Sequence, residues 1–390
     1  MEKVRFGIIG VGNIGSAHLK TLHSGEIDGA VVTAVADVRE DRRARASEIA
    51  PDVIVYNSGD ELIDNADVDA VIVAVPHYFH PSLSIRALDR GLSVICEKPA
   101  GVYTKQVKEM LCAAHRSKGL FTMMFNQRTN CIYRKMREIV REGGIGTIKR
   151  VNWIITDWYR TQAYYDSGDW RATWSGEGGG VLFNQCPHQI DLLQWVTGMT
   201  PARVSAHCHF GKWHNIEVED DVTVYMEYEN GATGVFVTST ADAPGTNRFE
   251  ILGTLGKLVC ENNKLYYTKN DVDERKYCFE SENAHMPPKQ ETVDVVTDGK
   301  NPQHAGIIQN FTDALLGKDE LMVNGDDGLL GDEFMDACLL SQWLGKTVQL
   351  PIDDDLYLSE LEKRIKTSRR KENVNEKSFD MSGSYGSEKK

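Results

Sequence analysis

The chain has 390 residues, 41% hydrophobic and 26% charged, and carries a formal charge of −13 at pH 7. That length accommodates two domains with separate cores. The acidic balance argues against a nucleic-acid partner, which needs a basic patch, and the absence of an 18-residue apolar run argues against a membrane span. Eight cysteines, at 96, 112, 131, 186, 208, 260, 278 and 338, form no Cys-x-x-Cys pair. That pattern fits reduced, mostly core cysteine in a cytoplasmic protein. Nothing before the first strand-like run resembles a signal peptide.

Up to residue 125, strand-like and helix-like runs alternate. Residues 4–9, 31–36, 53–56, 70–75, 93–96 and 120–125 read as strands, and 41–49, 81–90 and 105–117 as helices. This predicts a first domain over 1–125 on a doubly wound parallel sheet. From about residue 147 the pattern changes. Runs at 151–159, 203–209, 222–228, 232–238, 248–252 and 257–260 follow one another as strands, with Asn230-Gly231 as a hairpin turn. A second domain over 126–355, of α+β type with an open, largely antiparallel sheet, is expected. Helical patterns at 187–197, 304–316 and 326–344 are expected to cover one face of that sheet, the last also packing back on the first domain. Residues 366–390 form a polar tail that reads as a solvated extension.

Gly10-Val11-Gly12-Asn13-Ile14-Gly15 follows the first strand and opens a helix. Gly10 permits a tight turn, Gly12 lets the backbone approach a pyrophosphate, and Gly15 lets helix and strand pack closely. Asn13 and Ile14 lie at the helix N-terminus, whose dipole favours a phosphate. The first domain is therefore read as an α/β Rossmann domain. Asp37 ends the second strand, 22 residues after Gly15, where a carboxylate binds ribose hydroxyls and repels a 2′-phosphate. NAD is favoured over NADP, although Arg39, Arg42 and Arg43 lie close by.

Two further constellations carry chemistry. Glu97-Lys98-Pro99 follows the fifth strand, at the end of the sheet where ligands sit. Lys98 could hydrogen-bond a hydroxyl that is losing its proton. Gly178-Gly179-Gly180 precedes Asn184, His188 and Asp191. The glycines suggest close approach of backbone to a ligand or another strand. On one helix the three polar residues would share a face, with His188 as a general base. His207-x-His209 and His214 lack the carboxylates that would complete a zinc site, so no metal is expected.

Together, Glu97-Lys98-Pro99 and the glycine run leading to His188-x-x-Asp191 resemble the Gfo/Idh/MocA oxidoreductase family, over about residues 3–352. The resemblance implies Lys98 and His188 as catalytic residues and Glu97 at the nicotinamide ribose. It implies that Pro76 and His80, Asn126 and Gln127, and Trp170 and Arg171 line the cofactor. It also implies a dimer or tetramer formed through the second sheet. Many members carry aspartate where this chain has Asn184. His188 should then be a weaker base, unless Asp157 or Asp191 approaches it. The segment from Trp158 through Tyr165, followed by Asn184-Gln185-Cys186-Pro187-His188, resembles a subgroup that oxidises the 3-hydroxyl of glucosides. Asp157, Tyr159, Arg160 and Asn184 are then the expected contacts to a carbohydrate. Alternatives are a keto-sugar reductase, an inositol dehydrogenase using the same site, and a nucleotide-sensing regulator without turnover.

Overall fold

A computed structural model of the chain describes residues 3–369, 371 and 374. Most of the tail read over 366–390 lies outside the described residues. The N-terminal part runs β1 (Val4–Ile9), α1 (Asn13–His23), β2 (Ala30–Ala36), α2 (Glu40–Ile49), β3 (Ile54–Tyr56), α3 (Gly59–Asn65), β4 (Ala70–Val73), α4 (His80–Asp89), β5 (Ser93–Cys96), α5 (Thr104–Arg116) and β6 (Phe121–Met123). All four residues of β4 and of β5 are buried. Helices covering both faces of a parallel sheet require such continuous apolar strands. The six strands are parallel, in the order β3-β2-β1-β4-β5-β6. The order reverses between β1 and β4, which opens a crevice beyond their carboxyl ends.

A second unit follows: α6 (Cys131–Arg141), β7 (Ile148–Ile155), α7 (Gln162–Tyr165), α8 (Val181–Asn184), α9 (Pro187–Thr197), β8 (Arg203–Phe210), β9 (Glu219–Glu227), β10 (Thr233–Ser239), β11 (Asn247–Gly253), β12 (Gly256–Glu261), β13 (Lys264–Asn270), α10 (Glu274–Glu280), β14 (Gln290–Asp294), α11 (Gln303–Leu315), α12 (Asp327–Leu344), β15 (Val348–Gln349) and α13 (Asp354–Ile365). Its nine strands run β14-β13-β12-β11-β7-β10-β9-β8-β15. Every pair is antiparallel except β7 with β10. Burial alternates along β7 and β9, so one face packs on helices and the other stays open. Trp153 of β7 lies directly opposite Phe249 of β11, and their rings stack at 4.1 Å. At the expected hairpin, Gly231 adopts φ +82°, a left-handed conformation that suits glycine.

One helix lies elsewhere than expected. The sequence placed 304–316 over the second sheet, but α11 buries Ile307, Ile308 and Phe311 in the core of the first. Amphipathic spacing shows that a helix has an apolar face, not which core that face meets. By contrast, α12 packs in the second core and also reaches the first unit. Its Asp332 accepts the Gly101 N–H at 2.6 Å, and its Asp336 accepts the Thr104 N–H at 2.8 Å. The start of the tail is docked rather than solvated. Ser368 donates to Glu217 at 2.6 Å, and Lys371 donates to the Tyr165 carbonyl at 2.8 Å.

Candidate active site

The turn from β1 into α1 forms a dinucleotide cradle. Gly10 adopts φ +93°, and a Cβ there would lie 2.4 Å from the Ala74 carbonyl oxygen. At Gly15 it would lie 1.9 Å from the Gly10 carbonyl oxygen, whereas at Gly12 it would meet only Arg42 Nη1, at 3.9 Å. The backbone at Gly12 is thus approachable. No side chain caps α1, and its first turn, which opens with Asn13 and Ile14, holds no carboxylate. That arrangement suits a pyrophosphate. Asp37 accepts the Val11 N–H at 2.8 Å and the Arg39 N–H at 3.0 Å, and lies 3.7 Å from Arg42. Each carboxylate oxygen keeps a second lone pair for a ribose hydroxyl. These residues fit NAD.

At the other end of the crevice, Glu97 is buried and accepts from His18 of α1 at 2.8 Å. Burial alone would raise its pKa. The His18 hydrogen bond and the neighbouring His18, His304 and Lys98 charges outweigh that and hold it at about 2. Pro76 starts the turn His77–Phe79. His80 is a strut, with its two ring nitrogens 2.7 Å from the Pro99 carbonyl and 2.8 Å from the Val75 carbonyl. Asn126 and Gln127 both donate to Gln303, at 2.7 and 2.8 Å, which ties the end of the first sheet to α11.

The Lys98 ammonium donates to the Asn184 carbonyl at 2.8 Å. Burial lowers its pKa, while the Glu97 and Glu177 carboxylates pull it back up. Arg171 donates to the Tyr164 hydroxyl at 3.0 Å and lies over the Trp170 and Tyr164 rings. Trp170 stands edge-on to His77 at 5.8 Å. Arg160 donates to the Tyr159 carbonyl at 3.0 Å and lies 5.1 Å from the Tyr164 ring. Tyr159 and Asp157 are exposed beside it.

Asn184, His188 and Asp191 do not share one helix. Asn184 ends α8, and His188 is the second residue of α9. Pro187 starts the new helix because it cannot continue the old one. Asp191 has a cationic partner of its own. It is held by Arg128 in a buried pair, at 2.5 and 2.9 Å. His188 is 2% exposed and packs edge-on to Phe125. Burial first, and then the Lys98 charge, press its pKa well below the usual histidine range. Both effects disfavour the protonated imidazole.

The carboxylate that does meet Asn184 is Glu177, which the sequence reading missed. Its Oε1 accepts from the Asn184 amide, and its Oε2 accepts the Ala172 N–H at 2.5 Å. Burial raises its pKa, against the opposing charge of Arg171. Its only signal was its place directly before the glycine run. The run itself is packing. Added Cβ atoms would lie 1.9 Å from Val102 at Gly178, 2.3 Å from Phe183 at Gly179 and 2.0 Å from the Glu219 carbonyl oxygen at Gly180. Among the described residues, no group of His, Cys, Asp and Glu is placed to hold a metal ion, and no helix is long and apolar enough to cross a membrane.

A dinucleotide cradle beside a half-buried lysine, a buried histidine and a half-buried amide defines a nicotinamide-dependent oxidoreductase. Comparison with known proteins gives the family. Residues 4–125 match the oxidoreductase family model with an NAD-binding Rossmann fold, and residues 133–259 match the GFO/IDH/MocA C-terminal domain. The chain belongs to the GFO/IDH/MocA oxidoreductase family. Myo-inositol 2-dehydrogenase of Thermotoga maritima is 27% identical over 66% of this chain and 75% of its own length. Trans-1,2-dihydrobenzene-1,2-diol dehydrogenase of Bos taurus is 30% identical over 65% and 72%. Among solved structures, the WlbA dehydrogenase of Chromobacterium violaceum, in complex with NADH and UDP-GlcNAcA, superposes with a TM-score of 0.78. It is 27% identical, over 90% of this chain and 97% of that one.

Proposed function

We propose that the chain oxidises a ring hydroxyl of a sugar, glycoside or polyol to a ketone, and that the 3-hydroxyl of a glucoside is the position attacked. The observation that carries this reading is the Lys98 ammonium, fastened to the Asn184 carbonyl within a cluster of Tyr164, Arg171 and Glu177. NAD⁺, held at Gly12, Asp37 and Glu97, supplies the hydride acceptor. An ammonium has three N–H donors, and one is used by Asn184. The others hydrogen-bond the alcohol oxygen as it becomes a carbonyl. His188, kept neutral by burial, accepts the hydroxyl proton. Tyr159, Tyr164 and Trp170 offer rings to a sugar, with Arg160 and Asn184 for its hydroxyls, while Trp158 is buried in the core beneath them. Dehydrogenases of inositol among the relatives support a cyclic polyhydroxyl substrate.

The test follows reduced-nicotinamide absorbance with NAD⁺ across glucosides, free hexoses, inositols and anhydrosugars. Turnover is expected with glucosides, and Lys98→Ala should lower kcat by at least about 100-fold with NAD⁺ affinity retained. Turnover by Lys98→Ala at the wild-type rate would remove the lysine from the reaction. Silence across the panel, with no nucleotide released on denaturation, would favour a regulator.

The open face of the second sheet presents Ile154, Val235, Val237 and Tyr225 side by side, with Ile154 40% and Tyr225 44% exposed. We infer that this face joins copies into a homodimer or homotetramer. A monomer mass in light scattering would overturn that.

A further inference from the structure

Glu177 is 2% exposed and ties together four segments that frame the reacting centre. One oxygen holds the Asn184 amide, and the other holds the N–H of Ala172. Ala172 sits at φ +54°, a conformation an L residue seldom adopts, in the turn that carries Trp170 and Arg171. The Glu177 carbonyl faces His77 Nδ1 at 3.2 Å. Asn184 passes the constraint on. Its side-chain oxygen accepts from the Tyr164 hydroxyl and from Gln185, both at 3.0 Å, and its backbone carbonyl receives Lys98. A carboxylate can only accept, so the Asn184 NH₂ must face Glu177, and its oxygen must face Tyr164.

We propose that Glu177 is a positioning residue for the reaction. Through Asn184 it fixes the carbonyl on which Lys98 rests. The proposal rests on the reading of Lys98 as the donor to the reacting oxygen. The charges around Lys98 set the sign. Glu97 and Glu177 favour its protonated form, while Arg171 and Arg160 oppose it. His77, His80, His188 and His304 all sense the Lys98 charge from the surrounding elements. Glu177 itself faces Arg171 at 4.0 Å and acts on Tyr165 and Glu219. Removing the Glu177 charge therefore lowers the pKa of Lys98, and the alkaline limb of activity moves to lower pH.

The test uses the full-length protein with NAD⁺ and the glycoside selected from the panel. In Glu177→Gln the alkaline limb of kcat should move down by on the order of one pH unit. In the cofactor-free protein, the pH midpoint for acylation of the Lys98 amine, read by peptide mass spectrometry, should move down with it. The double variant Glu177→Gln/Asn184→Asp, which shifts the carboxylate across the pair, should bring both back. A fall in kcat with limb and midpoint at their wild-type values would reduce Glu177 to a structural part. If Glu177→Gln is too unstable to assay, Glu177→Asp keeps the charge but shortens the reach. There a lower kcat with the KM for the glycoside and both midpoints at wild-type values agrees, and an unchanged kcat, or a lower kcat with a raised KM, overturns the proposal. Wild-type turnover by Lys98→Ala would instead overturn the underlying reading.

Discussion

Replacing Glu219 with glutamine should stabilise the protein increasingly as pH rises. Glu219 is fully buried at the start of β9, where one of its oxygens accepts the Gly180 N–H at 2.8 Å and the Leu182 N–H at 3.1 Å. It thereby caps α8 from outside the helix. Burial lifts its pKa to about 7 from an ordinary 4.5, despite those bonds. Below pH 4.5 the group is protonated in both the folded and the unfolded chain and costs nothing. Between pH 4.5 and about 7 the unfolded chain releases the proton and the folded chain keeps it, so stability falls as pH rises. Above about 7 the full cost is present, about 3 kcal/mol at about 1.4 kcal/mol per pH unit. Glutamine does not titrate, and its amide oxygen can keep both bonds. Its NH₂ adds a cost that does not depend on pH, so the slope carries the test. Urea unfolding of both proteins at pH 5, 6, 7 and 8 gives the difference directly. The advantage of Glu219→Gln should grow across that window and level off above pH 7. A constant offset would refute the raised pKa.

Two other expectations follow from buried charges. Arg128→Met leaves Asp191 buried without its cation and should cost about 3–5 kcal/mol by urea unfolding, whereas Arg128→Met/Asp191→Leu should recover most of it. Recovery of nothing would show that the arginine acts outside the Asp191 pair, through packing or its 2.7 Å bond to Asp327. Asp37→Asn removes the carboxylate and leaves Arg42 and Arg43 in place, so the ratio of NAD to NADP affinity should fall by about ten-fold, or about 1.4 kcal/mol. An unmoved ratio in titration calorimetry would remove Asp37 as the ribose ligand.

The first sheet was legible because each of its strands is a short apolar run between turn signals, and the glycine fingerprint fixed its start. The second sheet was legible only where one face is buried. β14 is exposed at all five positions and β15 has two residues, so neither offers an alternation to detect. β13 mixes lysines with tyrosines, and only Leu265 and Tyr267 are buried along it. The site was legible in its members but not in its pairing. Spacing on an assumed continuous helix joined Asn184 to Asp191, and Pro187 was the residue that argued against that helix. Glu177 lay only seven residues before Asn184, but a reversing turn rather than a period brings them together, and a turn leaves no repeat to count.

The two units meet at the loop that carries the lysine. α5 starts at Thr104 with no capping side chain of its own and no carboxylate in its first turn. Asp336 of α12 caps it, through the Thr104 N–H and hydroxyl, while Asp332 holds the Gly101 N–H one turn away. Gly328 lets α12 come this close, since a Cβ there would lie 2.9 Å from Ala100. From the other side, His80 holds the Pro99 carbonyl, and Asn184 holds the Lys98 ammonium itself. The lysine is thus positioned less by its own short loop than by α12, α4 and α8, which come from different parts of the chain. Burial pushes the carboxyls of Asp332 and Asp336 well above the usual range, and Asp336 pushes Asp332 further. Such a cost is offset where the carboxyls fix the loop that carries Lys98 between two cores. α12 thus ties the loop beside the dinucleotide cradle to the second core.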